Sequence, residues 1–150
     1  MLIAFDRMIN EHEAKEKVGE GWIKAWMAFE AISTEPETVK QSLSSLLENV
    51  EKDTRLSVFK KGDLKEPQKI DNPFKKLTDL KHVWASSTEV HFVIKNFEDM
   101  VNISLEYGPS AIEILEPKSI KLDIRSAQSI LNTTSSIMHR ITEQLLGEKQ

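Results

Sequence analysis

Between Glu89 and Pro117 the spacing of apolar residues changes from two to three-or-four and back to two. Val90, Phe92 and Ile94 alternate with Glu89, His91 and Lys95, the mark of a pleated strand with unlike faces. Asn96 follows as an N-cap whose side-chain oxygen accepts an N–H left unpaired in the first turn. Glu98 and Asp99 add negative charge at the positive end of the helix dipole. Phe97, Val101 and Leu105 predict the buried stripe of a helix over 97–107, which Gly108 ends in a left-handed turn and Pro109 cannot continue. Ser110–Glu116 alternates again, with Ala111, Glu113 and Leu115 on one face and Ile112 and Ile114 on the other. The unit is strand, helix, strand.

The same grammar organises the rest. Leu2, Phe5, Met8 and Ile9 recur at helical spacing before the polar run Asn10–Lys17, predicting a helix over 2–17 that packs by its first half and is broken by Gly19 and Gly21. Trp22–Ile32 alternates and predicts the first strand. Thr34, Glu35, Pro36 and Glu37 fit a capping box with proline in the first turn. Val39, Leu43, Leu46, Leu47 and Val50 then stripe a helix over 36–52. Arg55–Lys60 predicts a second strand with Leu56 and Val58 inward. Asn72-Pro73 has the form of a helix start, and Phe74, Leu77, Leu80 and Trp84 keep helical spacing, so a short helix is expected at 73–83. Ile120, Leu122 and Ile124 alternate as a fifth short strand. Ala127, Ile130, Leu131, Thr134, Ile137, Met138, Ile141 and Leu145 trace one face of a final helix of about 20 residues, roughly 30 Å long.

In series these elements predict one α+β domain over 1–150: an N-terminal helix at 1–18, a core at 22–117, then a short strand and long C-terminal helix at 119–146. The core is a split β-α-β, or ferredoxin-like, antiparallel sheet. Right-handed crossovers set the strands at 22–32 and 89–95 side by side in its middle, with both crossover helices on one face and the other face open until something covers it.

Composition narrows the function classes. With no cysteine among 150 residues there is no disulfide framework, thiolate metal site or catalytic thiol, which fits a reducing cytoplasm. The opening Met-Leu-Ile-Ala-Phe meets Asp6 and Arg7, too short an apolar run for a signal core or membrane span. A soluble cytoplasmic protein with no membrane partner is the expectation. Net charge is −4, yet Lys52–His82 carries nine Lys/Arg against five Asp/Glu. Acids and prolines interrupt those lysines, the pattern of solvated loops more than of a nucleic-acid surface.

Catalytic signatures are missing: there is no Gly-x-Ser-x-Gly elbow, phosphate-binding glycine loop or His-Glu-x-x-His. His12 and Glu16 share a helical face, a spacing more often solvent-facing than metal-binding. Glu106, Glu113 and Glu116 form no acid/base pair on this reading, because Glu113 and Glu116 point to opposite faces of their strand. No catalytic residue, cofactor or metal is assigned. What stands out is the open sheet face, where alternation places Trp22, Lys24 and Trp26 beside His91 and Lys95 of the neighbouring strand. Indoles and amines together suit a planar anionic ligand or a base. The competing and preferred reading is that this face is covered, by the N-terminal helix, the last helix or a second subunit.

Gly108-Pro-Ser-Ala-Ile-Glu-Ile-Leu-Glu-Pro-Lys-Ser-Ile120 resembles the end of the C-terminal effector domain of WYL-type transcriptional regulators, where a glycine precedes a strand closing in a Leu-x-Pro step. The resemblance implies a ferredoxin-like sensing or oligomerising module; the regulators' DNA-binding function does not carry over, since no helix-turn-helix is recognisable. The functional expectation is a non-catalytic ligand-binding or regulatory and oligomerisation module, with a small-molecule ligand. Its alternatives are an RNA-binding protein that uses the open sheet face and an enzyme with a scattered site. A homodimer is expected, because the last helix outruns the sheet that it can cover.

Overall fold

A computed structural model describes residues 8–76 and 79–147. In chain order the elements are α1 (Glu11–Gly19), β1 (Ile23–Ser33), α2 (Pro36–Lys52), β2 (Leu56–Lys61), β3 (Gln68–Asp71), β4 (His82–Ile94), α3 (Phe97–Tyr107), β5 (Ala111–Glu116) and α4 (Ile124–Gly147). The sheet runs β2-β4-β1-β5, all antiparallel, with β3 on the first half of β4. This is the expected ferredoxin-like order, with the two strands of the sequence reading adjacent at its centre. Trp26 lies opposite His91 and Met27 opposite Val90 in that central ladder.

One face of the sheet is dry. Ala25, Met27 and Phe29 of β1, Val90, Phe92 and Ile94 of β4, and Leu56 and Val58 of β2 are buried against Val39, Leu43 and Val50 of α2 and Met100 and Ile103 of α3. Such burial contributes about 1.5–3 kcal/mol per large side chain, the main term favouring the fold. Within α3 the buried positions are Met100 and Ile103, whereas the predicted Phe97 and Val101 are only partly covered and Leu105 is exposed. The stripe is thus rotated, because β5 leaves that flank of the helix uncovered. Asn96 caps α3 by accepting from Asp99 N–H at 2.8 Å, and Gly108 ends it at φ 56°, both as expected.

Several expectations are corrected. Among the described residues of 73–83, which leave out Leu77, no helix forms: Asn72 is buried, accepts from Phe74 N–H at 2.8 Å, and donates its amide to Leu80 O at 2.9 Å. Its side chain makes a turn rather than a cap, and Trp84, read as helical, belongs to β4, which is 13 residues long. The predicted fifth strand at 120–124 is also absent; residues 117–123 are irregular, and the fifth strand of the sheet is β3. Among the described residues the first helix begins at Glu11, with Met8 and Ile9 outside it, because Asn10 and Glu13 form a capping box. Ile9 instead donates its N–H to Val58 O at 3.0 Å, alongside β2. Leu2 and Phe5 lie outside the described residues. At α2 the cap residue is Glu35, without a side-chain hydrogen bond, so the Thr34 capping box does not form.

One polar cluster fastens the two crossover helices together. Asp53, just past α2, receives Arg55 Nη2 at 2.6 Å and Tyr107 Oη, from the end of α3, at 2.6 Å, and Arg55 also meets Glu106. The Arg55 guanidinium, with the Tyr107 hydroxyl helping, holds the Asp53 carboxyl down at about 2. A carboxylate held below its ordinary 3.8 stabilises the fold fully above that value and loses the contribution as pH falls through 2. Asp53→Asn should therefore lower unfolding free energy by about 1–2 kcal/mol at pH 7. Urea titrations should show that deficit shrinking by pH 2.5; a deficit independent of pH would place its origin in packing.

Candidate functional site

The second face of the sheet carries the sequence-derived candidates, and a short helix decides which of them are reachable. On α1, whose sequence is almost wholly polar, Ala14 is the buried residue; it sits on Phe59 and Val93, with Ile9, Val18 and Trp22 closing the sides. Phe59 reaches this cluster through a bulge: β2 matches Val58 to Phe92 and Lys60 to His91, so the intervening Phe59 is extra and β2 changes face. Gly21, at φ 102°, makes the turn that returns the chain from α1 into β1.

Trp22 is half-buried under this helix, with Lys17 Nζ 4.2 Å from its ring centroid. Trp26 is half-buried too, and its indole N–H donates to Glu89 Oε2 at 3.0 Å. Neither indole is a free stacking surface: one lies beneath a lysine, and the other is oriented by a carboxylate. Lys24 projects on the same side, its Nζ 5.6 Å from the Phe59 centroid, with Glu116 opposite in the ladder. His91 stands beside Trp26 in register and 5.9 Å from Phe59. Its Nδ1 is buried without a hydrogen-bond partner among the described residues. Lys95 stands apart, past the end of β4, on a hollow shared with Gly21, Asn96, Pro117 and Leu122. Lys24, Trp26 and His91 thus come together, while Trp22 is roofed and Lys95 belongs to a different surface.

Residues that alternation did not find complete the site. Glu11, His12 and Lys15 of α1 join Lys24, Phe59 and Glu116 around a hollow of about 370 Å³ between helix and sheet. Glu116 is there because β5 shifts register opposite Lys24 and Ala25, which sets Glu113 against Trp26 and Glu116 against Lys24 on one face. The expectation that these two glutamates face apart is corrected by that bulge. Glu106 is held by Arg55 on the helix side, so the three acids form no cluster. His12 pairs with Glu16 at 2.9 Å on the exposed side of α1. Among the described residues no three His, Asp or Glu are grouped to hold a metal ion.

Electrostatics favour a neutral imidazole at the centre. Burial lowers the His91 pKa below its usual 6.5, with Lys60 and Lys24 adding to the effect and Glu89 and Glu11 opposing it. A base whose folded pKa is lowered contributes no penalty above 6.5 and a growing one as pH falls below it, since the unfolded chain takes the proton more readily. Urea unfolding at pH 7.5 and 5.5 should show that His91→Gln loses less stability on acidification than the parent chain. Equal losses would mean that His91 stays hydrated.

The family model of the MJ0538 family matches residues 24–149, from β1 through α4, and so takes in the whole sheet. No curated protein and no solved structure matches the chain. None of these comparisons links it to the WYL-type regulators that the fragment Gly108–Ile120 resembles. With all but the first helix of the architecture inside the match, the chain belongs to the MJ0538 family.

Proposed function

We propose that the protein is a non-catalytic regulatory module that works by assembling with itself, as a homodimer. The observation that carries this reading is α4: 24 residues long, it buries none of them, and among the described elements its one substantial packing partner is α3. An amphipathic helix of that length gains little from propensity alone and is ordinarily held by burying its apolar stripe. On α4 the stripe is still in water, with Leu131, Met138, Ile141 and Leu145 all exposed. An apolar surface of this kind on a soluble protein marks an interaction site. Light scattering at micromolar concentration should give about twice the chain mass of 17.2 kDa. A mass of one chain across that range would remove the proposal.

The ligand-binding form of the reading is supported by the hollow beneath α1, where Glu11, His12 and Lys15 of the helix face Lys24, Phe59 and Glu116 of the sheet. Paired opposite charges over an aromatic floor suit a small zwitterion, such as an amino acid, better than a polyanion. An RNA-binding face has less in its favour, because Trp26 is tied to Glu89 and acids interleave with the lysines. A ligand that binds the native state alone raises the unfolding midpoint by mass action. A thermal-shift panel of amino acids should therefore contain a stabiliser whose effect disappears in Lys24→Ala, whereas single-stranded RNA should give no salt-sensitive retention.

A further inference from the structure

The apolar surface of α4 has a finer order than amphipathicity requires. Ile124, Leu131, Met138 and Leu145 fall seven apart, and Ala127, Thr134 and Ile141 each follow one of the first three by three. That alternation of three and four, kept over three heptads, is the a/d seam of a coiled coil rather than the broader face of a helix lying on a sheet. The structure separates the two uses. Ile130 and Ile137, one position before the a residues, are half-buried, Ile137 in the hollow against α3. The a positions point away, with Ile124 86 %, Leu131 61 %, Met138 57 % and Leu145 57 % exposed, while the d positions lie between the two sides, Ala127 half-buried and Ile141 43 % exposed at the rim of the hollow beside α3.

We infer that α4 pairs with α4 of a second copy as an antiparallel two-stranded coiled coil, a surface that rests on the self-association proposed above. A helix of 24 residues spans about 36 Å, enough for the whole seam to be used. The choice of a second copy follows from the seam being self-complementary in one direction. Run antiparallel about a two-fold axis, Leu145 faces Ala127 of the other copy, Met138 faces Thr134, and Leu131 faces Ile141. Large residues then meet small ones in two of those layers, and the volume of the seam stays even along its length. Run parallel, the seam stacks alanine on alanine and threonine on threonine between layers of paired Leu and Met, so that voids alternate with crowding. Antiparallel helices also place opposite dipole ends together. Positions e, namely Gln128, Ser135 and Thr142, carry no charge, so no ionic pattern selects a foreign helix over an identical one. The two-fold contact is isologous and closes at two copies.

The natural absence of cysteine makes the geometry directly readable. Full-length Ala127→Cys and Leu145→Cys proteins, mixed in equal amounts and mildly oxidised, should form a mixed disulfide dimer, while neither alone should cross-link. In the antiparallel pair two copies of the same position lie about 27 Å apart, at 1.5 Å per residue, far outside disulfide reach. Cross-linking of Leu145→Cys with itself would mean a parallel pair and overturn the inference. A dimer by light scattering with no disulfide in either test would also overturn it while leaving self-association intact, and would direct attention to the trough between α3 and β5. That trough is lined by Met100, Val101, Leu105, Ile112 and Ile114. A monomer would overturn both. Met138→Glu, an exposed position whose change leaves the domain core untouched, should convert the dimer to monomer without loss of sheet signal in circular dichroism.

Discussion

The pairing of β1 with β4 is the constraint on which the other elements depend. Eleven residues of β1 match eleven of β4, from Ile23 opposite Ile94 to Ser33 opposite Trp84. Because a slip of one residue would turn every side chain to the other face, the register is fixed by burial on both sides. Phe92 and Met27 face α2 and α3, while Val93 faces α1. β4 also serves as the ladder for β2 at one end and β3 at the other, so a single strand of 13 residues fixes the position of three more.

The two helical coverings differ in how they are held. Behind the sheet, α2 and α3 contribute large aliphatic side chains and are fastened by the Asp53, Arg55 and Tyr107 cluster. In front, α1 contributes one alanine and a few flanking side chains and is otherwise charged. A helix with so small an apolar footprint opens more readily than the core elements do. The front hollow, with Lys24 and Glu116 on its rim, therefore lies under a helix held less firmly than α2 and α3.

Much of this was legible from the sequence where local chemistry and tertiary context agree. Asn96 and Gly108 bound α3 because a cap and a left-handed terminus are decided within a few residues, and the alternation of Val90, Phe92 and Ile94 survives because both its neighbours are strands. Legibility failed where one residue changes role. Asn72-Pro73 has the form of a helix start, but Asn72 is spent on Leu80 and Phe74, closing a loop. The bulges at Phe59 and opposite Lys24 leave no trace in the alternation, and they decide which side chains line the front hollow. For that reason Lys24, Trp26 and His91 were found together from sequence, while Phe59, Lys60 and Glu116 were not.

The bond from Ile9 N–H to Val58 O at 3.0 Å bears on how such a sheet can grow. It places the chain's own backbone along the outer side of β2, whereas β5, at the other margin, has no strand beyond it among the described residues. A sheet with two bare margins can add neighbours without end, in the manner of a fibril. The margin beyond β4 is shared by β2 and β3, and this bond occupies it at Val58, so a foreign strand approaching β2 meets the chain's own backbone. Ile9 thus guards the edge of β2, one of the places where a foreign strand could seat and a polymer begin.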